Sequence, residues 1–372
     1  DSINILVIQA LSALAAGGAI LCSQYVGSEN TQEANRSAGQ VLLVMAALST
    51  ALSVICLVLR DPMLRLIFGK VDADVMSNSR TYFLFTLLSF PFIGLYDAGA
   101  SIFRAQNNTR TPMVISVISN LMNIAGNAVL IFGFDMGVAG AAISTLVSRI
   151  FCAIVVLWQL RSPLQPISVR YYAKIRPDFS LIRRVLLIGV PSGIENSMFQ
   201  FGKLAIQSTV STLGTAAIAA QAMTNILEAL NGVAAMGVGI GLMTVVGQCI
   251  GANRKDEAVY YIKKLSWLAE IVIIVCCLFV LAITKPITVI GGMEAESAKL
   301  CFQMVVFITI TKPISWVLSF IPAYGMRAAG DVKFSMITSC LSMWLCRVSL
   351  CIFLCRALGF GPIAVWIGMF AD

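Results

Sequence analysis

The sequence contains no histidine, and only 12% of its 372 residues are charged, against about 25% in an ordinary soluble domain. Without imidazole it lacks the commonest metal ligand and general base. The eleven cysteines do not fill that gap. None shows zinc-like spacing, and Cys276, Cys277, Cys340, Cys346, Cys351 and Cys355 lie inside apolar runs, where a thiol packs as a small hydrophobe. No serine or aspartate constellation has catalytic spacing, so neither an enzyme nor a resident cofactor is expected. Ten-residue segments alternating apolar and polar are also missing, which excludes a membrane β-barrel: a run such as "IVIIVCCLFVLAI" (271–283) does not alternate.

What is present is apolar. Hydrophobic residues make up 58% of the chain and its mean hydropathy is +0.88, too little polar surface for water. The apolar stretches reach roughly 20 residues, and at about 1.5 Å per residue a helix of that length crosses a ~30 Å hydrocarbon core. Lipid cannot satisfy backbone polar groups, so helices are required. The pattern predicts an all-α polytopic membrane protein with spans at 3–23, 38–59, 81–103, 112–133, 137–160, 180–208, 214–247, 258–284, 299–326 and 334–356, and another starting at 361.

The chain repeats itself. "QYVGSENTQEANRSA" (24–38) returns as "QCIGANRKDEAVYYI" (248–262), placing Gln24, Gly27, Glu33 and Ala34 on Gln248, Gly251, Glu257 and Ala258. "FRAQNNTRTPM" (103–113) returns as "MRAAGDVKFSM" (326–336) at a shift of 223. Equivalent spans are an even number apart, so the repeats run parallel about an axis along the membrane normal. "RRVLLIGVPSGIENSMFQF" has no counterpart before residue 1, and the expected parent is therefore a six-plus-six bundle, of which this chain lacks the first helix and most of the last. The expected organisation is an N-lobe at 1–160, an interlobe linker at 161–179 and a C-lobe at 180–372.

Basic residues concentrate on the side of the repeated motif. Arg36, Arg104, Arg110, Arg254, Lys255, Lys263, Lys264, Arg327 and Lys333 join six more in "RSPLQPISVRYYAKIRPDFSLIRR" (161–184). The opposite loops hold only Arg60, Arg65, Lys70, Arg80, Lys285, Lys299 and Arg356. The motif side is thus expected to be cytoplasmic, and the net charge of +8 reflects topology and contact with anionic lipid rather than nucleic-acid binding.

Eight ionisable residues fall inside the spans: Asp97, Glu195, Glu228 and Glu270, and Arg149, Lys203, Lys312 and Arg347. Each would cost roughly 2.5–3.5 kcal/mol at a helix centre, so a protein or aqueous interior is expected around them. Three polar stripes follow helical spacing: Asn196, Gln200, Lys203 and Gln207; Gln221, Asn225 and Glu228; and Ser116, Asn120, Asn123 and Asn127. They line a pathway or bond neighbouring helices to one another. Folding the hairpin about 211–215 sets Glu195 and Glu228 at similar depth, where a close pair would retain one proton. Lys312 could reach either glutamate and oppose that loading. Arg149, Arg347, Asp97 and Glu270 rank below the pair.

The duplicated Q-x-x-G followed by E-A, the "FRAQNNTRTPM" and "MRAAGDVKFSM" pair, and "GVPSGIENSMFQ" resemble the multidrug and toxic compound extrusion (MATE) transporters of the MOP flippase superfamily. The resemblance spans essentially the whole chain. It implies two six-helix lobes around a central cavity, in a monomer of the bacterial plasma membrane that exports organic, cationic or amphipathic compounds in exchange for H+ or Na+. The sequence departs from the family where one branch has a glutamate and this chain has Phe199 beside Gln200. It departs again at Lys312, near an expected aspartate. Ion-coupling candidates are Glu195, Glu228 and Lys312; pathway candidates are Asn196, Gln200, Lys203, Gln207, Gln221, Asn225, Asn120, Asn123 and Asn127. A lipid-linked saccharide flippase of the same superfamily is the alternative, and a basic cavity around Lys203, Lys312 and Arg149 would favour it.

Overall fold

The computed structural model describes residues 2–68 and 73–371. Lys70, used above for orientation, lies outside them, as do the side chains of Arg65 and Arg356. The chain divides into two compact units, Asp1–Gly193 and Ile194–Asp372.

The first unit contains α1 (Ser2–Gly27), α2 (Thr31–Val58), α3 (Arg60–Phe68), α4 (Ala73–Ala105), α5 (Arg110–Ala128), α6 (Gly137–Leu160) and the opening turns of α7 (Phe179–Val210). The rest of α7 belongs to the second unit, with α8 (Thr215–Gly251), α9 (Lys255–Ile290), α10 (Ala295–Ala329), α11 (Val332–Leu341), α12 (Ser349–Arg356) and α13 (Ile363–Ala371). Every expected span is a helix. Nine stretches among the described residues are long and apolar enough to cross a membrane; α7, which carries Arg183, Arg184, Glu195 and Lys203, is not among them.

Two features differ from the sequence reading. Residues 60–68, read as connection, form α3, whose Asp61 receives Arg60 at 3.6 Å and Arg80 at 3.2 Å. Neither 112–133 nor 334–356 is one regular helix, because Val129–Gly133 continues α5 as π-helix and Ser342–Val348 widens into π-helix between α11 and α12.

The repeated motifs are repeated turns. Helices α1 and α8 end with matching backbone bonds: Ser28 N to Gln24 O and Asn30 N to Tyr25 O in one, Ala252 N to Gln248 O and Arg254 N to Cys249 O in the other. Each turn passes through a left-handed residue, Glu29 at φ 57° and Asn253 at φ 58°. The second pair behaves alike. Asn107 at φ 65° and Gly330 at φ 99° close α4 and α10, with Asn108 N bonded to Phe103 O and Asp331 N to Met326 O. These 6→1 closures satisfy carbonyls that a helix end would otherwise strand.

Small residues set the helix crossings. A Cβ on Gly17 would lie 2.6 Å from the Gly189 nitrogen, so α1 meets the start of α7 backbone to backbone. Gly94 against Ser49 and Gly99 against Val156 similarly seat α4 on α2 and α6. Close approach gains dispersion contacts where apolar burial offers little advantage over lipid. Around these crossings Leu87, Phe90, Ile102 and Phe103 are fully buried. By contrast, only 11% of the α5 span is buried, and Leu121, Ile124 and Phe132 point outward as lipid-facing residues should.

The connection from α6 to α7 is docked on the first unit. Gln40 donates to Arg176 O at 2.8 Å and accepts from Asp178 N at 3.0 Å; Arg36 pairs with Asp178 at 2.7 Å. Asn35 accepts from Ser168 N, Gln106 accepts from Ile167 N, and Ile167 is fully buried. Tyr172 donates to Leu157 O, and burial pushes its phenol above the ordinary range.

Candidate functional site

In the second unit, α10 supplies one cation to each of two glutamates. Lys312 Nζ lies 2.6 Å from Glu228 Oε1 and 3.4 Å from the Glu228 carbonyl. The lysine side chain is 0% exposed, whereas that of Glu228 keeps 23% of its surface open. One helical turn beyond Glu228, Gly232 makes room: a Cβ there would sit 3.4 Å from Nζ. Trp316, one turn beyond Lys312, places its ring centre 5.7 Å from the ammonium and stacks on Phe320 at 4.8 Å. The ammonium therefore has a carboxylate, a carbonyl and an aromatic face, the partners a buried cation needs.

The second pair joins Arg327 Nη2 to Glu195 Oε1 at 2.6 Å. Arg327 also donates through Nε to Ser335 Oγ at 3.4 Å and lies 5.5 Å over the Tyr324 ring. Glu195 is 2% exposed, and its Oε2 is buried without a hydrogen-bond partner. This pairing corrects the expectation of two glutamates sharing a proton. Lys312 and Arg327 lie on α10 with Pro313 and Pro322 between them, and each glutamate has its own cation as partner rather than the other carboxylate. Counting down from the hairpin assumed two straight, parallel helices, and it ignored the reach of long cationic side chains.

Lys203 is exposed on α7 and has no ion pair among the described residues. Glu228 and Arg347 are charged groups near it. Arg347 is buried within the π-helical turn, with Nη1 3.6 Å from Met343 Sδ and its guanidinium 5.9 Å over Phe199. Any side chain at Gly202 would strike Met343, so this part of α7 lies directly on the π-helical turn. Such turns are frequent at functional sites. Along the α7 stripe Asn196 and Gln200 are half-buried and Gln207 is exposed. On α8, Gln221 is buried and donates to Asn225 Oδ1 at 3.1 Å, while its own Oε1 is buried without a partner.

The asparagine stripe lies in the first unit. Asn123 donates to Thr145 Oγ1 at 3.3 Å and its carbonyl accepts from Ser144 Oγ at 2.9 Å; Asn127 donates to Asn123 Oδ1 at 3.2 Å. Asn120 is exposed. These bonds stitch α5 to α6, and Asn127 Oδ1 remains buried without a partner. Arg149 donates to Ser89 Oγ at 2.6 Å. Among the described residues no group of three or more His, Cys, Asp or Glu could hold a metal ion.

Sequence reasoning missed Arg327, which hydropathy assigned to a loop, and ranked Arg347 below the glutamate pair. A signal for Arg327 was available. At about 100° per residue it falls roughly 60° around α10 from Lys312, on the same side of the helix.

The MatE family model matches residues 1–129 and 191–353. "Probable multidrug resistance protein YoeA" of Bacillus subtilis is 27% identical over 98% of this chain and 79% of its own length. "Probable multidrug resistance protein NorM" of Thermotoga maritima is 24% identical over 97% of the chain and 78% of its own. Among solved structures, an outward-facing multidrug resistance MATE family transporter of the MOP superfamily superposes with a TM-score of 0.91 at 17% identity, covering 99% of this chain and 82% of that one. A Vibrio cholerae MATE transporter, VcmN, superposes at 0.88 with 19% identity, covering 99% of this chain and 82% of that one. The model match falls on both halves and on the turns that repeat between them, and the chain belongs to the MatE family of multi-pass membrane transporters.

Proposed function

We propose that this chain is the transport core of a secondary antiporter. It exports small amphipathic organic compounds in exchange for H+ or Na+ by alternating access, and the Glu228–Lys312 pair is its principal coupling element. The observation that carries the reading is the asymmetry of that pair: a fully enclosed ammonium bound to a carboxylate that keeps 23% of its surface open. An ion arriving at the open carboxylate weakens its hold on Lys312 and so changes the balance between two packings of α8 against α10. Energies match the task. Breaking a buried pair costs about 3–5 kcal/mol, while one proton moved down one pH unit and 100 mV delivers about 1.4 plus 2.3 kcal/mol.

Glu195 and Lys312 complete the ion-coupling set, and Asn196, Gln200, Lys203, Gln207, Gln221 and Asn225, with Asn120, Asn123 and Asn127 of the first unit, serve the substrate pathway. The protein acts as a monomer in the bacterial plasma membrane, in contact with lipid and not with nucleic acid. It has no cofactor beyond the coupling ion, and the repeated turns and the 161–179 linker face the cytoplasm. Of the three residues whose charge would favour the flippase reading, Lys312 is paired with Glu228, whereas Arg149, which donates to Ser89, and Lys203 keep their charge.

The test is flux in proteoliposomes of the full-length protein under imposed pH and sodium gradients, using one anionic dye, carboxyfluorescein, and one cationic dye, ethidium. Transport of either should follow one gradient, and Glu195→Gln or Glu228→Gln should abolish that dependence. Coupling that survives unaltered in both variants would reject the assignment.

A further inference from the structure

The family resemblance implies cationic cargo, but the charges inside the second unit point the other way. Glu228 is bound by Lys312 and Glu195 by Arg327, each at 2.6 Å. Neither carboxylate is left to receive an organic cation without first losing an internal one. A cationic ligand drawn to Glu228 would therefore have to break a short pair whose ammonium is 0% exposed. Lys203 presents the opposite case. The residue is exposed and, among the described residues, forms no ion pair; Glu228 nearby is already engaged by Lys312, and Arg347 is the other charged group near it.

Resting on the transport reading above, we propose that the second unit binds amphipathic organic anions, with Lys203 as the group that receives the ligand's oxyanion. Gln200 and Gln207 flank Lys203 on the same stripe of α7 and offer amide donors to the remaining oxygens. Phe199, already beneath the Arg347 guanidinium, supplies an aromatic surface for the apolar body of the ligand. The field of Arg347 makes the region around Lys203 more positive without requiring Arg347 to touch the ligand. Glu228 and Lys312 sense the event. An anion drawn to Lys203 lies in the field of the open carboxylate, which links cargo binding to the coupling pair. The same oxyanion chemistry is offered by a soluble compound and by a lipid phosphate, and the ligand proposed is the soluble compound.

The experiment is equilibrium binding to the full-length protein in neutral detergent with no gradient, read by fluorescence polarisation of carboxyfluorescein and of ethidium. Carboxyfluorescein should bind the wild type more tightly. Lys203→Gln should weaken it about tenfold, the loss of one charge-assisted hydrogen bond, and Lys203→Arg should restore it to within about threefold. Because Lys203 is exposed, its loss strands no buried partner and the variant should keep its fold. Tighter binding of ethidium, or carboxyfluorescein binding that ignores Lys203→Gln, would overturn the proposal. Displacement of the dye by short-chain phosphatidylglycerol at lower concentration than by unlabelled fluorescein would assign the site to lipid and overturn it equally. Binding that behaves as expected while gradients fail to drive flux would sink the antiport reading and leave this one standing.

Discussion

Replacing both members of the Glu228–Lys312 pair by apolar residues should be less harmful than replacing either one. In Lys312→Met the carboxylate loses its only ion-pair partner but retains the 23% of surface through which water can approach. The loss should fall at the lower end of the range for a broken buried pair, about 3 kcal/mol. In Glu228→Leu the ammonium stays 0% exposed, with only a carbonyl and the Trp316 face remaining. That loss should approach the upper end, about 5 kcal/mol. The double variant leaves no buried charge, and well-packed apolar substitutes for such pairs are often neutral. Unfolding of purified protein in detergent, scanned at one heating rate, gives the assay. At about 2–4 °C per kcal/mol for a body of this size, Lys312→Met should lower the midpoint by roughly 6–12 °C and Glu228→Leu by more. The double variant should recover most of the difference. Midpoints that fall additively, or singles that each shift by less than about 2 °C, would show that the pair is a solvated contact and not an enclosed one.

Gly17→Leu should prevent α1 from meeting Gly189, since even a Cβ would stand 2.6 Å from that backbone nitrogen; overpacking of this kind costs at least about 1–3 kcal/mol, and a midpoint unchanged from wild type would contradict the crossing. Gln40→Ala removes both hydrogen bonds that bracket Arg176 and Asp178, at about 1 kcal/mol each. Trypsin should then cut at Arg170 or Lys174 several-fold faster than in the wild type, and equal rates would show that the linker is held by other means.

Most of the fold was legible because one signal dominates it. A span such as 271–283 admits no reading but an apolar helix, and the recurrence of Gln24 and Gly27 at Gln248 and Gly251 exposed the duplication without structural help. What hydropathy could not register was α3, whose arginines and aspartate look like loop until Asp61 is seen to collect Arg60 and Arg80. Nor could it register the π-helical turn, since an extra residue per turn leaves composition unchanged. The candidate site was readable in part. Periodicity within single helices identified Lys203 and Glu228, and a charge inside an apolar span identified Lys312, but partner choice depends on how helices cross. Lys312 chose Glu228, and Glu195 was met by Arg327, a residue whose backbone lies in the last turn of α10 while its guanidinium turns inward. Length of side chain, invisible to a hydropathy window, decided that pairing.

The paired turns also bear on how the polypeptide is made. In the turn after α1, the bonds reach from Gln24 and Tyr25 to Ser28 and Asn30, and they involve nothing translated later. The reversal can close as soon as those residues leave the ribosome, and its twin after α8 can do the same without waiting for distant segments. Each half thus arrives at the translocon with its own hairpin already directed, and the order of synthesis becomes the order of assembly.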